Sequence, residues 1–348
     1  MTTSLELARA AFRDVALYSV EAAPCDVDLS DNTNLWGAPP AASEALRDLA
    51  NSGVSRYPSA YASALKEALA EYARTDASRV VTGCGSDDIL DSAIRAFAEP
   101  GDRIAFCGPT FAMIPIFARL NGVETGTAPM TSAWDIDPER LVATGARIIY
   151  VCSPNNPTGT TASRGALERL IAKAPGVVIL DEAYAEFADD DRSDLAAGSD
   201  RVLVVRTMSK AFGLAGLRVG YAVGAPALAA AVEKSRGPYK VSMAAERAAV
   251  AALTHDRAWV TEHVARARES RDALAASLRR LGLAPLPSQA NFVLVPVRGA
   301  VGIAGRLREV GIAVRAFEAL PSIGDALRIT AGPAAMMEKL VAALEGIL

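Results

Sequence analysis

The segment from Val202 to Gly220 joins a strand-like apolar run to residues that could carry out chemistry. Its first four residues, Val202 to Val205, are typical of a strand buried on both faces. Lys210 follows among small and neutral residues, and Arg218 follows a glycine-rich loop. Because desolvation lowers the pKa of a lysine, a buried Lys210 amine could attack a carbonyl group, and Arg218 could pair with a phosphate. A solvated surface charge is the alternative interpretation of Lys210.

A glycine-flanked turn follows an earlier apolar run, Val80 to Thr82. Gly85, Ser86 and Asp87 lie where a helix is predicted to begin, and the free N–H groups of a helix N-terminus bind anions. The alternative is a tight turn in which Ser86 or Asp87 caps the helix. This turn is therefore a candidate phosphate site.

Polar or aromatic residues also follow three further apolar runs. Asp181 comes directly after Val177 to Leu180, where a carboxylate is costly to bury without a cation, although a helix N-cap is the alternative. Asn156 lies in a Pro- and Gly-rich turn, and Phe111 could equally be a core residue. Since ligands of open α/β sheets bind beyond the carboxyl ends of the strands, these residues are expected to meet in one site.

Composition limits the class of protein. The chain has 348 residues, 51% of them hydrophobic, and a net charge of −4 at pH 7, which provides no basic patch for nucleic acid. No apolar run is long enough to span a membrane, and the first residues do not resemble a signal peptide. Four scattered cysteines suit a reducing cytoplasm, and only two histidines are present, which does not favour a metal site. We therefore expect a cytoplasmic protein without membrane, nucleic-acid or metal partners.

The elements that must position these residues alternate between apolar strands and amphipathic helices. This alternation predicts an α/β domain with a largely parallel sheet. Strands are predicted at 80–82, 103–106, 148–151, 177–180, 202–205 and 217–223, then at 291–295, 313–315 and 327–330, with helices at 5–13, 41–49 and 259–281. We expect an N-terminal arm at 1–30, a large domain at 31–243, and a small C-terminal domain at 244–348 that part of the N-terminal segment joins.

The run from Ser209 to Arg218, S-K-A-F-G-L-A-G-L-R, resembles the cofactor-lysine signature of aminotransferases of the aspartate-aminotransferase fold. Within that family the chain is most similar to histidinol-phosphate aminotransferases, with matching motifs from Tyr18 to Arg328. The resemblance implies the fold type I of pyridoxal 5′-phosphate (PLP) enzymes: a mostly parallel seven-stranded sheet flanked by helices, plus a smaller α+β domain.

The same resemblance assigns roles in the cofactor site. Lys210 would carry PLP, Asp181 would face its pyridine nitrogen, and Phe111 would stack on its ring. Asn156 and Tyr184 would bind the ring oxygen. The phosphate would be held by Gly85, Ser86, Asp87, Thr207, Ser209 and Arg218.

Substrate and partner roles follow in the same way. Arg328 and Arg315 match anion-binding positions, and Asn32 belongs to an early loop that we assign to the substrate site. Tyr57 and Tyr18 match residues that serve the neighbouring subunit, so a homodimer with shared active sites is implied.

The implied function is amino transfer from histidinol phosphate to 2-oxoglutarate, in histidine biosynthesis. The early loop reads Asn32-Thr33-Asn34-Leu35-Trp36-Gly37, whereas the histidinol-phosphate branch usually has N-E-N-P-x-G. The alternatives are therefore an aminotransferase for an aromatic or secondary-metabolite amino acid, and a phospho-amino-acid decarboxylase on the same fold. A non-catalytic effector-sensing domain is a further alternative, which the presence of Lys210 disfavours.

Overall fold

A computed structural model describes residues 7–13, 15, 25–49, 54–190, 192 and 194–348. The strands are β1 (Val27–Asp28), β2 (Val80–Cys84), β3 (Arg103–Gly108), β4 (Glu124–Pro129), β5 (Ile148–Cys152), β6 (Val177–Asp181), β7 (Val202–Thr207), β8 (Val219–Gly224), β9 (Phe292–Pro296), β10 (Ile312–Ala313), β11 (Arg315–Leu320) and β12 (Gly324–Thr330).

The α-helices lie between these strands and around them. They are α1 (Ala10–Arg13), α2 (Pro40–Leu49), α3 (Ser63–Tyr72), α4 (Gly85–Phe97), α5 (Met113–Leu120), α6 (Pro138–Ala143), α7 (Arg164–Lys173), α8 (Asp194–Ala197), α9 (Pro226–Ser235), α10 (Met243–His255), α11 (Arg257–Arg280), α12 (Ala300–Glu309) and α13 (Ala334–Ile347). Short 3₁₀ helices occur at Ala77–Arg79, Ala185–Phe187 and Ala215–Leu217.

A seven-stranded sheet forms the centre of the large domain, in the order β2-β8-β7-β6-β5-β3-β4. Strand β8 is antiparallel to both of its neighbours, and the other pairs are parallel. Apolar side chains pack on both faces of the sheet, which explains the unbroken apolar runs of β5, β6 and β7. The predicted fold class is confirmed.

The edge strand β4 is missing from the predicted strands. Its sequence, Glu124-Thr-Gly-Thr-Ala-Pro129, has no apolar run, and most of its residues are at least partly exposed. An edge strand is hydrogen-bonded on one side only and is less enclosed by helices, so an apolar pattern is not required of it.

The small domain contains a three-stranded antiparallel sheet, β11-β12-β9, and the parallel pair β1-β10. The predicted single strand at 313–315 is wrong, because β10 ends at Ala313 and β11 begins at Arg315. The two strands pair with different partners, β1 and β12, and so belong to different sheets. The result places Arg315 directly opposite Arg328 on β12.

Packing suggests a different domain boundary from the one predicted at residue 244. The buried alanines of α10 belong to the core of the large sheet, and so do Val260 and Ala267 in the first half of α11. Leu274 and Leu278, in the second half of α11, belong to the core of the small domain. We propose that the boundary lies inside α11.

The N-terminal predictions lie partly outside the described residues. Of the helix predicted at 5–13, the structure shows Ala10–Arg13, whereas residues 1–6 and Tyr18 are not among those described. Val27 and Leu29 pack in the core of the small domain. Within the described part of the chain, none of the helices has the length and apolar character needed to cross a bilayer.

Candidate active site

A cavity of about 500 Å³ opens at the carboxyl ends of the parallel strands. Twelve of the residues predicted for the site line it: Asn32, Ser86, Asp87, Phe111, Asn156, Asp181, Tyr184, Thr207, Ser209, Lys210, Arg218 and Arg328. They come together because β2, β3, β5, β6 and β7 end at this edge and β8 begins there. Polar groups from distant parts of the chain thus converge in one cavity, as expected of a small-molecule site.

Lys210 lies three residues beyond the end of β7. Its Nζ donates a hydrogen bond to the backbone oxygen of Asp31 at 2.9 Å and lies 5.9 Å from the centroid of the Tyr184 ring. Burial lowers the pKa of Lys210 to about 8, and the positive charge of Arg328 acts in the same direction. About a tenth of the amine is therefore uncharged at pH 7, and this form can act as a nucleophile or base.

Asp181 is the last residue of β6 and is only 3% exposed. Its carboxylate accepts hydrogen bonds from the hydroxyl of Tyr150 at 2.7 Å and from the backbone N–H of Ala183 at 3.1 Å. Burial raises the pKa of Asp181 to about 6, and the two hydrogen bonds oppose that rise. The site thus holds a buried acid that a cationic ligand group would stabilise as the carboxylate.

Tyr150 is a site residue that the sequence analysis missed. It lies within the apolar run of β5 and is 1% exposed, so by pattern it belongs to the core. The one feature of the sequence that could have identified Tyr150 is its hydroxyl, since a buried tyrosine usually needs a hydrogen-bond partner. The neighbouring strand provides that partner in Asp181.

Tyr184 and Asn156 direct polar groups into the same cavity. The Tyr184 oxygen accepts a hydrogen bond from Asn32 Nδ2 at 3.0 Å, so the Tyr184 proton is available to another acceptor. The Asn156 Oδ1 accepts from Arg328 Nη1 at 2.7 Å, which leaves the Asn156 amide group to donate. Burial raises the pKa of Tyr184 to about 12, against the effects of Arg328 and of the Asn32 hydrogen bond, so Tyr184 is a donor at neutral pH.

The turn before α4 forms an anion cradle beneath Arg218. Gly85 has a φ of +81°, and a Cβ at this position would lie 2.5 Å from Arg218 Nη2, so glycine lets the guanidinium approach the turn. Ser86 and Asp87 lie in the first helical turn, whose N–H groups have no helical acceptors. The Asp87 carboxylate lies 3.5 Å from Arg218 Nη2, and the hydroxyls of Thr207 and Ser209 are 3.0 Å apart. This arrangement suits a phosphate group.

Three of the described residues predicted for the site are not part of the cavity lining: Gly85, Tyr57 and Arg315. Gly85 begins α4, next to the lining residues Ser86 and Asp87. Tyr57 is 81% exposed and stacks on Tyr239, with ring centroids 4.8 Å apart. Arg315 is half-buried on β11, opposite Arg328. The predicted Tyr18 lies outside the described residues.

Further lining residues were not predicted for the site. Thr33 follows Asn32 in the early loop, Met113 begins α5, and Cys152 ends β5. Cys152 is 7% exposed, and burial together with the Asp181 charge raises its thiol pKa well above the ordinary value, so it is present as the neutral thiol. Together with Phe111, Met113 makes part of the cavity wall apolar.

A larger cavity, about 670 Å³, lies between α11 and α13. Its walls include Trp36, Leu274 and Met337 beside exposed charged side chains of the two helices. None of the strand-end residues named above reaches it, so the 500 Å³ cavity is the candidate site.

Comparison with known families agrees with the predicted resemblance. The family model described as aminotransferase class I and II matches residues 25–344. The match covers all three sheets described above and every described residue that lines the candidate site. The predicted family is therefore confirmed.

The proteins to which this chain is similar are named for two different substrates. The chain is 38% identical to an aromatic amino acid aminotransferase of Corynebacterium glutamicum, over 92% of each protein. It is 35% identical to a histidinol-phosphate aminotransferase of Geotalea daltonii, over 94% of each. Among solved structures, the histidinol-phosphate aminotransferase of Sinorhizobium meliloti in complex with pyridoxal 5′-phosphate superposes with a TM-score of 0.86 and 28% identity, over 93% of this chain and 91% of that one.

Proposed function

This chain belongs to the class I and II aminotransferases, and we propose that it transfers the amino group of histidinol phosphate to 2-oxoglutarate, with PLP as its cofactor. This reaction would place it in histidine biosynthesis. The observation that carries the substrate assignment is the pairing of Arg315 on β11 with Arg328 on the neighbouring strand β12, where Arg328 lines the cavity.

The residues of the cavity fit PLP. A pyridinium nitrogen would supply the cation that the buried Asp181 carboxylate needs, and the cradle at Gly85 would take the phosphate. Tyr184 and Asn156 each have a hydrogen left to donate to the ring oxygen. Phe111, on the cavity wall, offers a flat apolar surface for the ring.

Lys210 is the residue that would move protons during the reaction. When bound, PLP supplies an electron sink that stabilises the carbanion formed at the substrate α-carbon. The Lys210 Nζ, whose pKa is lowered to about 8, can accept the proton from that carbon and later return it. Asp181 would keep the ring nitrogen protonated, which the electron sink requires.

Arg315 and Arg328 support a substrate with a doubly charged anionic group. Like charges directly opposite each other on an antiparallel pair repel, and an anion between them would offset that cost. No described carboxylate forms an ion pair with Arg315. A phosphate ester can occupy both guanidinium groups, whereas an α-carboxylate needs chiefly one.

The substrate proposal is tested with two arginine variants. Each charge-assisted contact contributes about 1.5–3 kcal/mol, a tenfold to hundredfold effect on affinity. Arg315→Ala should therefore raise the KM for histidinol phosphate by that factor while leaving the KM for glutamate nearly unchanged. Arg328→Ala should raise both. Equal effects of Arg315→Ala on the two substrates would contradict the phosphate assignment.

An aromatic amino acid is the second candidate donor. The Corynebacterium glutamicum relative supports it, as do the apolar side chains of Phe111 and Met113 in the cavity wall. Comparing kcat/KM for histidinol phosphate, phenylalanine and tyrosine decides between the two. Poor turnover of the phosphate ester beside good turnover of phenylalanine would establish the aromatic reaction instead.

We further propose that the enzyme is a homodimer with shared active sites. Tyr57 and Tyr239 form an exposed aromatic pair that does not line the cavity of its own chain. Exposed aromatic pairs of this kind are typical of protein interfaces. A second subunit could therefore receive Tyr57 at its phosphate cradle.

A further inference from the structure

Asn32 links the small domain to Tyr184 through buried hydrogen bonds. Its Nδ2 donates to the Tyr184 oxygen at 3.0 Å, and its Oδ1 accepts from the Thr330 hydroxyl at 3.2 Å. The backbone N–H of Asn32 donates to the same Thr330 oxygen at 3.0 Å. Asn32 and Thr330 are each 1% exposed and Tyr184 is 4% exposed, so water cannot readily replace these partners. The side chain of Asn32 thus bonds two other protein groups while it lines the cavity, and the substrate role predicted for it stays a prediction.

The position of Asn32 is firmly determined. Its φ of 55° lies in the left-handed region, which non-glycine residues seldom adopt unless the surroundings impose it. Asn291 Nδ2 donates to the Asn32 backbone oxygen at 3.0 Å, and the Thr330 N–H donates to the Leu29 oxygen at 2.9 Å. These bonds hold the backbone on both sides of the side-chain amide.

The direction of these hydrogen bonds determines what Tyr184 can do with its proton. An asparagine amide donates at one end and accepts at the other. When the Thr330 hydroxyl donates to Oδ1, the NH₂ end of Asn32 must face Tyr184, whose oxygen then accepts. With the amide reversed, Tyr184 would donate its proton to Asn32 and have none left for the cavity.

We propose that Thr330 is a positioning residue, whose hydroxyl orients the Asn32 amide so that Tyr184 donates its proton to the cofactor ring oxygen. This inference rests on the proposed cofactor role of Tyr184. Thr330 lies two residues after Arg328 on β12 and on the same face of the strand, so one strand carries both the anion-binding arginine and this hydrogen-bond chain. A hydrogen bond donated to the ring oxygen favours its ionised form, and the pH at which the bound cofactor titrates falls accordingly.

Thr330→Val tests the role of the hydroxyl with a spectroscopic measurement. The holoenzyme is titrated with pH while the visible absorption band of bound PLP is followed. The midpoint should rise by about one pH unit, the effect of weakening one hydrogen bond. Thr330→Ser keeps the hydroxyl and should retain the wild-type midpoint.

Thr160→Val is the matched control for losing a buried threonine hydroxyl. Thr160 is 7% exposed and bonds Thr158 and the Trp134 backbone oxygen, and none of these residues lines the cavity. Its midpoint should equal that of the wild type. An unshifted midpoint in Thr330→Val would overturn the inference.

Asn32→Ala tests whether the effect of Thr330 passes through the Asn32 amide. Alanine offers Tyr184 no competing acceptor, so the midpoint should stay near the wild-type value in Asn32→Ala, and adding Thr330→Val to Asn32→Ala should cause no shift. A double variant whose midpoint rises as in Thr330→Val alone would overturn the inference. Thr330→Ala, which also lacks the hydroxyl, replaces Thr330→Val if that variant does not fold. If wild-type protein develops no visible band with PLP, the cofactor assignment itself fails, whereas a normal wild-type band with an unshifted Thr330→Val refutes only the role of Thr330.

Discussion

At the residue scale, the site depends on ionisable groups whose pKa values burial moves toward neutrality. Burial lowers the pKa of Lys210 to about 8 and raises the pKa of Asp181 to about 6. In the proposed roles Lys210 must lose its proton and Asp181 must be charged. At pH 7 Asp181 is mostly charged and about a tenth of Lys210 is uncharged, so the two forms are available together near neutral pH.

Tyr150→Phe should raise the pKa of Asp181 further. The Tyr150 hydroxyl donates to the Asp181 carboxylate, so its loss disfavours the charged form. A hydrogen bond to a charged group contributes about 1.5–3 kcal/mol, which corresponds to roughly one to two pH units. Since the carboxylate is lost as pH falls through its pKa, the variant would have a mostly neutral Asp181 at pH 7. The ¹³C shift of the labelled Asp181 carboxyl carbon in the apoprotein measures this pKa.

Tyr221→Phe is the control for Tyr150→Phe. Tyr221 is also 1% exposed in the same sheet, and its hydroxyl is not bonded to Asp181. The Asp181 titration should match that of the wild type in this variant. An unchanged titration in Tyr150→Phe would show that the hydroxyl does not stabilise the charge.

At the scale of elements, the anion cradle requires β8 to pass very close to the start of α4. Gly220 on β8 pairs with Gly83 on β2, and a Cβ at Gly220 would collide with the backbone of Gly85 and Ser86. Backbone atoms of a helix start cannot move aside as a flexible side chain can. The absence of a side chain at residue 220 is thus a condition for the cradle.

Gly220→Ala should separate β8 from α4 and weaken the cradle. Overpacking of this kind costs about 1–3 kcal/mol in the free energy of unfolding, and PLP affinity should fall as well. Gly216→Ala is the control, because a Cβ there meets no atom within 4 Å. Denaturant unfolding and PLP titration measure the two effects. Equal stability and PLP affinity in both variants would refute this account of Gly220.

At the scale of the whole molecule, the proposed dimer would complete each site with Tyr57 of the other subunit. Tyr57→Ala and Lys210→Ala proteins should each be strongly impaired alone. Mixed after dissociation, they form hybrid dimers in which one of the two sites has both residues intact. Random pairing of the two kinds of subunit makes about half of the dimers hybrids, and one of the two sites in each hybrid is intact. Activity should therefore recover to roughly a quarter of the wild-type value. A mixture no more active than its components would show that Tyr57 serves its own subunit or none.

The sequence by itself determined the fold class, the family and most of the cavity lining. The apolar runs of β5, β6 and β7 mark strands buried on both faces, and the predicted site residues lie at or just beyond the ends of such strands: Asp181 is the last residue of β6, and Lys210 lies three residues beyond β7. Both signals are local, because they depend only on a residue type and its distance from a strand end. Strand β4 carried no such signal, since an edge strand does not need an apolar pattern.

Only the tertiary structure decided which side chains meet. Thr330 lies 298 residues from Asn32, and Tyr150 lies 31 residues from Asp181, yet both pairs are hydrogen-bonded. Neither contact follows from local pattern, because it depends on the order of the strands and on how the two cores pack together. The same packing makes Asn32 a hydrogen-bond partner of Tyr184 and places Arg315 opposite Arg328.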